Sequence, residues 1–158
     1  LRYFNPLGAN KNNFNGDFLE KDQQNIMPAL IKAAKKNKIF NIFGNDYSTK
    51  DGTAIRDYIH IEDLVDGHIS SISYLEKKSG FSVFNLGTSI GYSVLEVIDV
   101  FKKISKLDLS YNIIDRREGD SAECYASNNK AREKLNWKPK KNLTDMIESA
   151  WKYSNTVN

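Results

Sequence analysis

The chain is predicted to be an α/β protein, and three features predict it. Short runs rich in Ile, Phe and Val alternate with longer segments whose apolar residues recur at helical spacing. Glycine or proline closes several of the short runs: Pro6 and Gly8 follow Leu1–Asn5, Gly44 follows Ile39–Phe43, and Gly87 follows Phe81–Leu86. Ser93-Val94-Leu95-Glu96 has the form of a capping box, in which Ser and Glu satisfy the first free amides of a helix. No internal repeat, low-complexity tract or linker between two complete domains interrupts this alternation.

Taken in order, Leu1–Asn5 reads as a buried apolar strand stopped by Pro6. The polar stretch from Ala9 to Gln24 reads as a loop, and Ile26 to Asn37 as a helix with Ile26, Leu30, Ile31 and Ala34 on one face. Ile39–Phe43 is a strand, Tyr47–Thr53 a turn, and Ile55–Ile61 a second strand on which Arg56, Tyr58 and His60 alternate with Asp57, Ile59 and Ile61. Asp63 to Lys77 is a helix with Leu64, Val65, His68, Ile69, Ile72 and Leu75 as its inward stripe. Phe81–Leu86 is a strand, and the capping box starts a helix that runs to about Ser105. Leu109–Ile114 and a short Cys124–Ala126 complete the strands; Asn128–Leu135 and Leu143–Tyr153 are the last helices, separated by Trp137 and Pro139.

At 158 residues the chain can bury a sizeable core. Hydrophobic residues at 40% and charged residues at 27% fit a soluble globular protein, and no apolar run reaches the length of a membrane helix. The net charge of +3 does not point to nucleic acid, because many lysines lie at helix ends, as in Lys35-Lys36-Asn37-Lys38 and Glu76-Lys77-Lys78. One cysteine, Cys124, leaves no internal disulfide and suits a reducing cytoplasm. The start at Leu1 lacks an initiator Met and resembles neither a signal nor a transit peptide, so the chain reads as part of a longer polypeptide.

A series of motifs carries a family resemblance. Tyr3-Phe4-Asn5-Pro6-Leu7-Gly8, Gln24-Asn25-Ile26-Met27-Pro28 and Asn41-Ile42-Phe43-Gly44-Asn45-Asp46-Tyr47 come first. Asp51-Gly52-Thr53, Arg56-Asp57-Tyr58-Ile59-His60-Ile61-Glu62-Asp63-Leu64, Asn85-Leu86-Gly87-Thr88 and Arg116-Arg117-Glu118-Gly119-Asp120 follow. In this order, from Leu1 to about Tyr153, the chain resembles the UDP-galactose 4-epimerases of the extended short-chain dehydrogenase family. The resemblance implies the C-terminal half of such an enzyme: the last strands of a Rossmann-type sheet with the smaller α/β substrate-binding domain, and no N-terminal NAD-binding half. It also implies NAD as cofactor, a UDP-sugar as substrate, and a homodimer for the complete protein.

Two features of a self-sufficient enzyme of that family are missing. No glycine-rich loop opens a helix to cradle a pyrophosphate. The family's catalytic Tyr-x-x-x-Lys is matched only by Tyr74-Leu75-Glu76-Lys77-Lys78, near a helix end in a segment where the family has no catalytic pair. No catalytic residue is therefore expected in this chain.

The resemblance assigns Tyr3 and Pro6 to the nicotinamide end of NAD and Asn5 to the substrate. It assigns Asn25 and the Ile26 amide to a diphosphate or sugar oxygen, which a helix start with free N–H groups can serve; Asn25 as an ordinary N-cap is the alternative. Asn41 and Phe43 would hold the uracil, Val94 would belong to the same site, Arg56 and Arg117 would clamp the diphosphate, and Asp120 would bond the ribose hydroxyls. Phe43 as a core residue and an Arg116–Glu118 surface ion pair are the alternatives there. Cys124 would line the sugar pocket, where a small residue leaves room for an N-acetyl group; a buried small apolar role is the alternative. A metal site at His60 and His68 with Glu62 and Asp63 is rejected for want of ligand spacing. Two rival functions remain, another UDP-sugar enzyme such as a decarboxylase or dehydratase, and a non-catalytic nucleotide-sugar-binding module.

Overall fold

A computed structural model describes residues 1–12, 16 and 25–156. The strands are β1 (Arg2–Tyr3), β2 (Asn5–Leu7), β3 (Phe40–Phe43), β4 (Ile55–His60), β5 (Asn85–Leu86), β6 (Gly91–Ser93), β7 (Tyr111–Ile114) and β8 (Glu123–Cys124). The helices are α1 (Ile26–Lys35), α2 (Ile61–Leu75), α3 (Val94–Ser105), α4 (Asn129–Leu135) and α5 (Leu143–Ser154). The α/β class is as expected. Gln24 and most of the expected 9–24 loop lie outside the described residues.

Strand β4 organises the molecule. Its C-terminal half pairs in parallel with β2, Asn5 opposite Tyr58 and Leu7 opposite His60. Its N-terminal half is flanked on both sides, by antiparallel β6 (Arg56 opposite Tyr92) and by parallel β8 (Arg56 opposite Cys124). Two further parallel pairs stand apart, β1 with β5 and β3 with β7. With Tyr58 in one core and Ile59 in the other, β4 buries Asp57, Tyr58, Ile59 and His60 alike, so the expected alternation does not mark an inside and an outside.

The larger core joins α1, α3 and α5 around Leu30, Ile42, Phe101, Met146 and Ile147. A smaller core under α2 and α4 gathers Ile59, Leu64, Phe84, Leu86, Leu135 and Trp137. Helix ends are closed as local chemistry dictates. Ser93 and Glu96 form the expected capping box on α3, and Asn142 with Asp145 forms a second on α5.

Several expectations are corrected. Leu1 and Tyr3 are exposed rather than buried, and Pro6 sits inside β2 instead of ending a strand. Only Asn85–Leu86 of the 81–86 run is extended, and Phe81 is exposed. Helix α2 begins at Ile61 because His60, the last residue of β4, caps it. Its inward side is not the apolar stripe: Leu64 is buried, but Val65 is 49%, Ile69 58%, and Ile72 and Leu75 each 61% exposed. The inward side is instead Asp63, Leu64 and Gly67. Gly67 lets the helix press on Leu86 and Trp137, where a Cβ would come within 2.7 Å of Leu86 Cδ1. Asp63 holds the 137–141 segment: its carbonyl accepts Trp137 Nε1–H at 2.9 Å, and its carboxylate accepts the backbone N–H groups of Lys140 and Lys141.

Candidate functional site

The C-terminal end of β3, the centre of β4, the start of α1 and the 117–120 turn enclose a cavity of about 860 Å³. Asn5, Pro6, Asn25, Ile26, Asn41, Phe43, Arg56, Val94, Arg117 and Asp120, all expected from the sequence, line it. Lys32 and Lys38 add to Arg56 and Arg117, so among the described residues four cations face one carboxylate, Asp120. Such a surplus suits an anionic ligand of nucleotide size. Asn25 occupies the N-cap position of α1 but does not cap it with its side chain, and Ile26 and Met27, the first residues of the helix, line the cavity beside it.

The 116–120 segment shows why its residues come in this spacing. The Asp120 N–H bonds the Arg117 carbonyl at 3.3 Å, closing a four-residue turn in which Gly119, at φ +82°, takes the left-handed position that favours glycine. Because β7 pairs with β3 and Ile114 lies opposite Phe43, this turn folds back over the cavity. The Arg117 guanidinium then lies 3.8 Å from the centre of the Phe43 ring, a cation–π contact. Asp120 reaches Arg56, Nη2 to Oδ1 at 3.1 Å, with the two side chains 17% and 33% exposed. Arg56 also donates to the carbonyls of Ile55 at 2.8 Å and Ser121 at 2.9 Å, which fixes its plane. A guanidinium carries about five N–H donors, more than these bonds engage.

Arg116 does not pair with Glu118. Its Nε donates to Asp46 Oδ1 at 2.7 Å, its Nη2 donates to the Asp46 carbonyl, and its plane covers the Tyr47 ring at 4.2 Å. The hydrogen bond from Arg116 holds the Asp46 carboxyl below its ordinary value. The turn carrying Arg117 is thereby tied to the turn that follows β3.

Two expected residues stand differently, Tyr3 and Cys124. Tyr3 does not line the cavity; its hydroxyl lies 2.7 Å from His68 Nε2. Cys124 is exposed, which removes the buried-core alternative, and it sits on β8 opposite Arg56 without lining the cavity. Tyr74 packs edge-on against Phe84, a place in the smaller core rather than in a site.

Nothing local in the sequence marks Asp57 as a junction of the fold. It is fully buried, and its carboxylate accepts from Thr88 N–H at 2.8 Å, Thr88 Oγ1–H at 2.5 Å, Ser89 N–H at 2.9 Å and Ala126 N–H at 3.1 Å. It therefore joins the strand that bears Arg56 to the 87–89 loop and to the segment after β8. Its neighbour Tyr58 lines the cavity, and burial pushes the phenol up to about 12, so it stays protonated at neutral pH.

His60 is also structural. Its Nδ1 accepts the Glu62 N–H at 3.1 Å. The Ser149 hydroxyl donates to the Met146 carbonyl, so His60 Nε2–H donates to Ser149 Oγ at 3.1 Å. His68 Nδ1 faces the Leu64 carbonyl at 2.9 Å, which makes it the donor and leaves Nε2 to accept from Tyr3. No cluster of three or more metal-ligating side chains occurs among the described residues.

A basic cavity on an α/β frame with mainly parallel strand pairs is consistent with a fold of the extended short-chain dehydrogenase type. The chain belongs to the family whose model, described as GDP-mannose 4,6 dehydratase, it matches over residues 2–150. It is 46% identical over 155 residues to a UDP-glucose 4-epimerase of Dictyostelium discoideum, covering 97% of this chain and 45% of the relative. The structure of a Bifidobacterium longum UDP-glucose 4-epimerase in complex with NAD+ and UDP superposes with a TM-score of 0.93 at 41% identity, over 99% of this chain and 47% of that one. A Campylobacter jejuni UDP-Glc/GlcNAc 4-epimerase aligns with a TM-score of 0.76 at 34% identity, over 98% of this chain and 47% of its own. The chain thus spans about half the length of the relatives it matches.

Proposed function

We propose that the chain is the UDP-sugar-binding, C-terminal half of an NAD-dependent UDP-glucose 4-epimerase. The observation that carries this reading is the cavity itself. Residues from separate parts of the sequence, Asn5, Asn25, Asn41, Phe43, Arg56, Val94, Arg117 and Asp120, meet on one wall system of suitable size and charge. The names of the relatives favour epimerisation over decarboxylation or dehydration.

On this reading the cations and the α1 amides hold the diphosphate, Phe43 and the backbone near Asn41 hold the uracil, and Asp120 takes the ribose hydroxyls. Binding concentrated on UDP leaves the hexose free to turn, as inversion at C4 requires. NAD, when bound, supplies a hydride acceptor for that carbon. The residues of this chain do not form its main seat. No glycine-rich helix start exists here for its pyrophosphate, and Pro6 is the cofactor-assigned residue at the cavity wall. The catalytic Tyr and Lys would likewise lie outside this chain. A homodimer and a reducing, cytoplasmic setting belong to the same reading, the latter resting on the single exposed Cys124. No helix among the described residues is long and apolar enough to cross a membrane.

The test has two arms. Isothermal calorimetry of this chain with UDP is expected to give saturable binding that Arg56→Ala removes. Joined to the N-terminal portion of the Dictyostelium relative, the chain is expected to interconvert UDP-glucose and UDP-galactose. UDP binding without turnover in the joined protein would leave a nucleotide-sugar-binding module.

A further inference from the structure

Arg116 and Arg117 are adjacent, yet their guanidinium groups stack on different rings. Arg117 covers Phe43, and both line the cavity. Arg116 covers Tyr47, and neither of these lines it, nor does Asp46. Any effect of Arg116, Asp46 and Tyr47 on a ligand is therefore indirect. The turn between the two arginines and Asp120 has little else to hold it. Every residue from 111 to 120 is exposed, and a Cβ on Gly119 would meet nothing within 4 Å. The turn is pinned at its ends, by Asp120 on Arg56 inside the cavity and by Arg116 outside it.

The outer pin is built from several contacts. The Gly44 N–H donates to the Ile114 carbonyl at 2.8 Å, which carries the β3–β7 pairing one step past Phe43. A Cβ on Gly44 would stand 2.7 Å from Arg116 Cγ and 2.9 Å from Tyr47 Cε2, so the glycine lets the arginine stem cross to the ring. Tyr47 is buried and its N–H bonds the Gly52 carbonyl at 3.0 Å, which makes the ring a fixed platform. Arg116 then donates from Nε to the Asp46 carboxylate at 2.7 Å and from Nη2 to the Asp46 carbonyl at 2.6 Å. An exposed ion pair alone contributes little. Here one planar group makes two hydrogen bonds and a ring contact to a single turn, a geometry that a lysine does not reproduce.

We propose that Arg116 is a positioning residue: held by Asp46 and Tyr47 outside the cavity, it fixes the 117–120 turn so that Arg117 and Asp120 stand in place before an anionic ligand arrives. Such preorganisation raises affinity, because the ligand need not order a mobile arginine as it binds. The proposal rests on the UDP-binding reading above. Charge attraction by Arg116 is the rival account, and Asp46 separates the two by sign. Asp46→Ala removes a negative charge near the site, which by charge alone strengthens anion binding. If Asp46 acts by holding Arg116, the same substitution weakens it.

The experiment measures UDP binding by calorimetry on the joined protein, as parent, Asp46→Ala and Arg116→Ala, and again with Arg117→Ala added to each. Both single substitutions are expected to weaken UDP binding by about three- to tenfold. With Arg117 already replaced, the loss should shrink to about twofold or less, because the main group to be positioned is gone. A second measurement needs no ligand: ¹⁵N relaxation at Gly119 and Asp120 should show lower order parameters in both single variants than in the parent. Unchanged or tighter UDP binding by Asp46→Ala, a loss that persists in full without Arg117, or an equally ordered turn in the variants would overturn the proposal. A parent that binds no UDP would count against the UDP-binding reading, and the relaxation data would still decide whether Arg116 holds the turn.

Discussion

Gly87 lies so close to Asp57 that a Cβ on it would stand 2.6 Å from the carboxylate Oδ2. The glycine is needed because the loop must bring the Thr88 and Ser89 amides onto a buried anion. Asp57→Asn exchanges an acceptor oxygen for an NH₂ group that faces N–H donors. It should cost about 2–3 kcal/mol of stability, read by urea unfolding of the joined protein. Gly87→Ala should destabilise as well, by steric conflict with Asp57 and Ala126. Unfolding midpoints unchanged in both variants would show that the Asp57 network contributes nothing.

Arg117→Lys keeps the charge over Phe43 but loses the planar fork that can take two phosphate oxygens. UDP affinity should fall by about 1–3 kcal/mol. Calorimetry on variant and parent checks this, and equal affinity would leave Arg117 as a lid on the Phe43 ring with no grip on the diphosphate.

His60 sets a pH dependence. Burial pushes its pKa below the ordinary 6.5. The neutral ring is the one the fold uses, since Nδ1 must accept from Glu62. The unfolded chain therefore takes up a proton more readily than the folded one. The stabilisation is fully present above about pH 6.5 and is lost progressively as pH falls toward the folded-state value. Thermal unfolding of parent and His60→Asn, compared at pH 7.5 and pH 5.5, should show the parent losing more stability on acidification. Equal losses would remove His60 as the cause.

Cys124 is the gate expected from family resemblance, and the structure puts it on β8 opposite Arg56, outside the cavity lining. If it faces the sugar in the assembled enzyme, Cys124→Tyr should abolish conversion of UDP-N-acetylglucosamine and largely spare UDP-glucose. Assays of both sugar pairs on both proteins check this; unchanged N-acetyl activity would show that discrimination lies elsewhere.

Legibility followed the reach of the interactions. The α3 capping box was readable because Ser93 and Glu96 are three residues apart and each bonds the other's backbone N–H. Arg56, Arg117 and Asp120 were legible as family motifs, and the cavity brings them together; their pairing across the chain was not, because nothing local links residue 56 to residue 120. Asp57 was hidden for the same reason, its donors lying at 88, 89 and 126. The α2 stripe misled through its strength. Periodicity finds an apolar face, but which side packs was decided by Gly67, the smallest residue, against Trp137. The 91–93 strand went unseen because Gly91-Tyr92-Ser93 is short, polar at its end, and extended only through its partner β4.

The position of β4 has a consequence for the order in which the molecule can be built. Its partners come from residues 5–7, 91–93 and 123–124, so no neighbour in the sequence completes it. Such distant pairings are slow to form, because a long loop must close before any bond rewards it. A chain emerging from the ribosome can join β2 to β4 early but cannot seat Arg56 until Asp120 and Cys124 have been made. Until then the guanidinium lacks its carboxylate, and Asp57 beside it, though within reach of Thr88 and Ser89, lacks the Ala126 amide. The binding cavity is thus a late product of folding, and slowing translation between residues 60 and 120 should lengthen the life of an open, aggregation-prone intermediate.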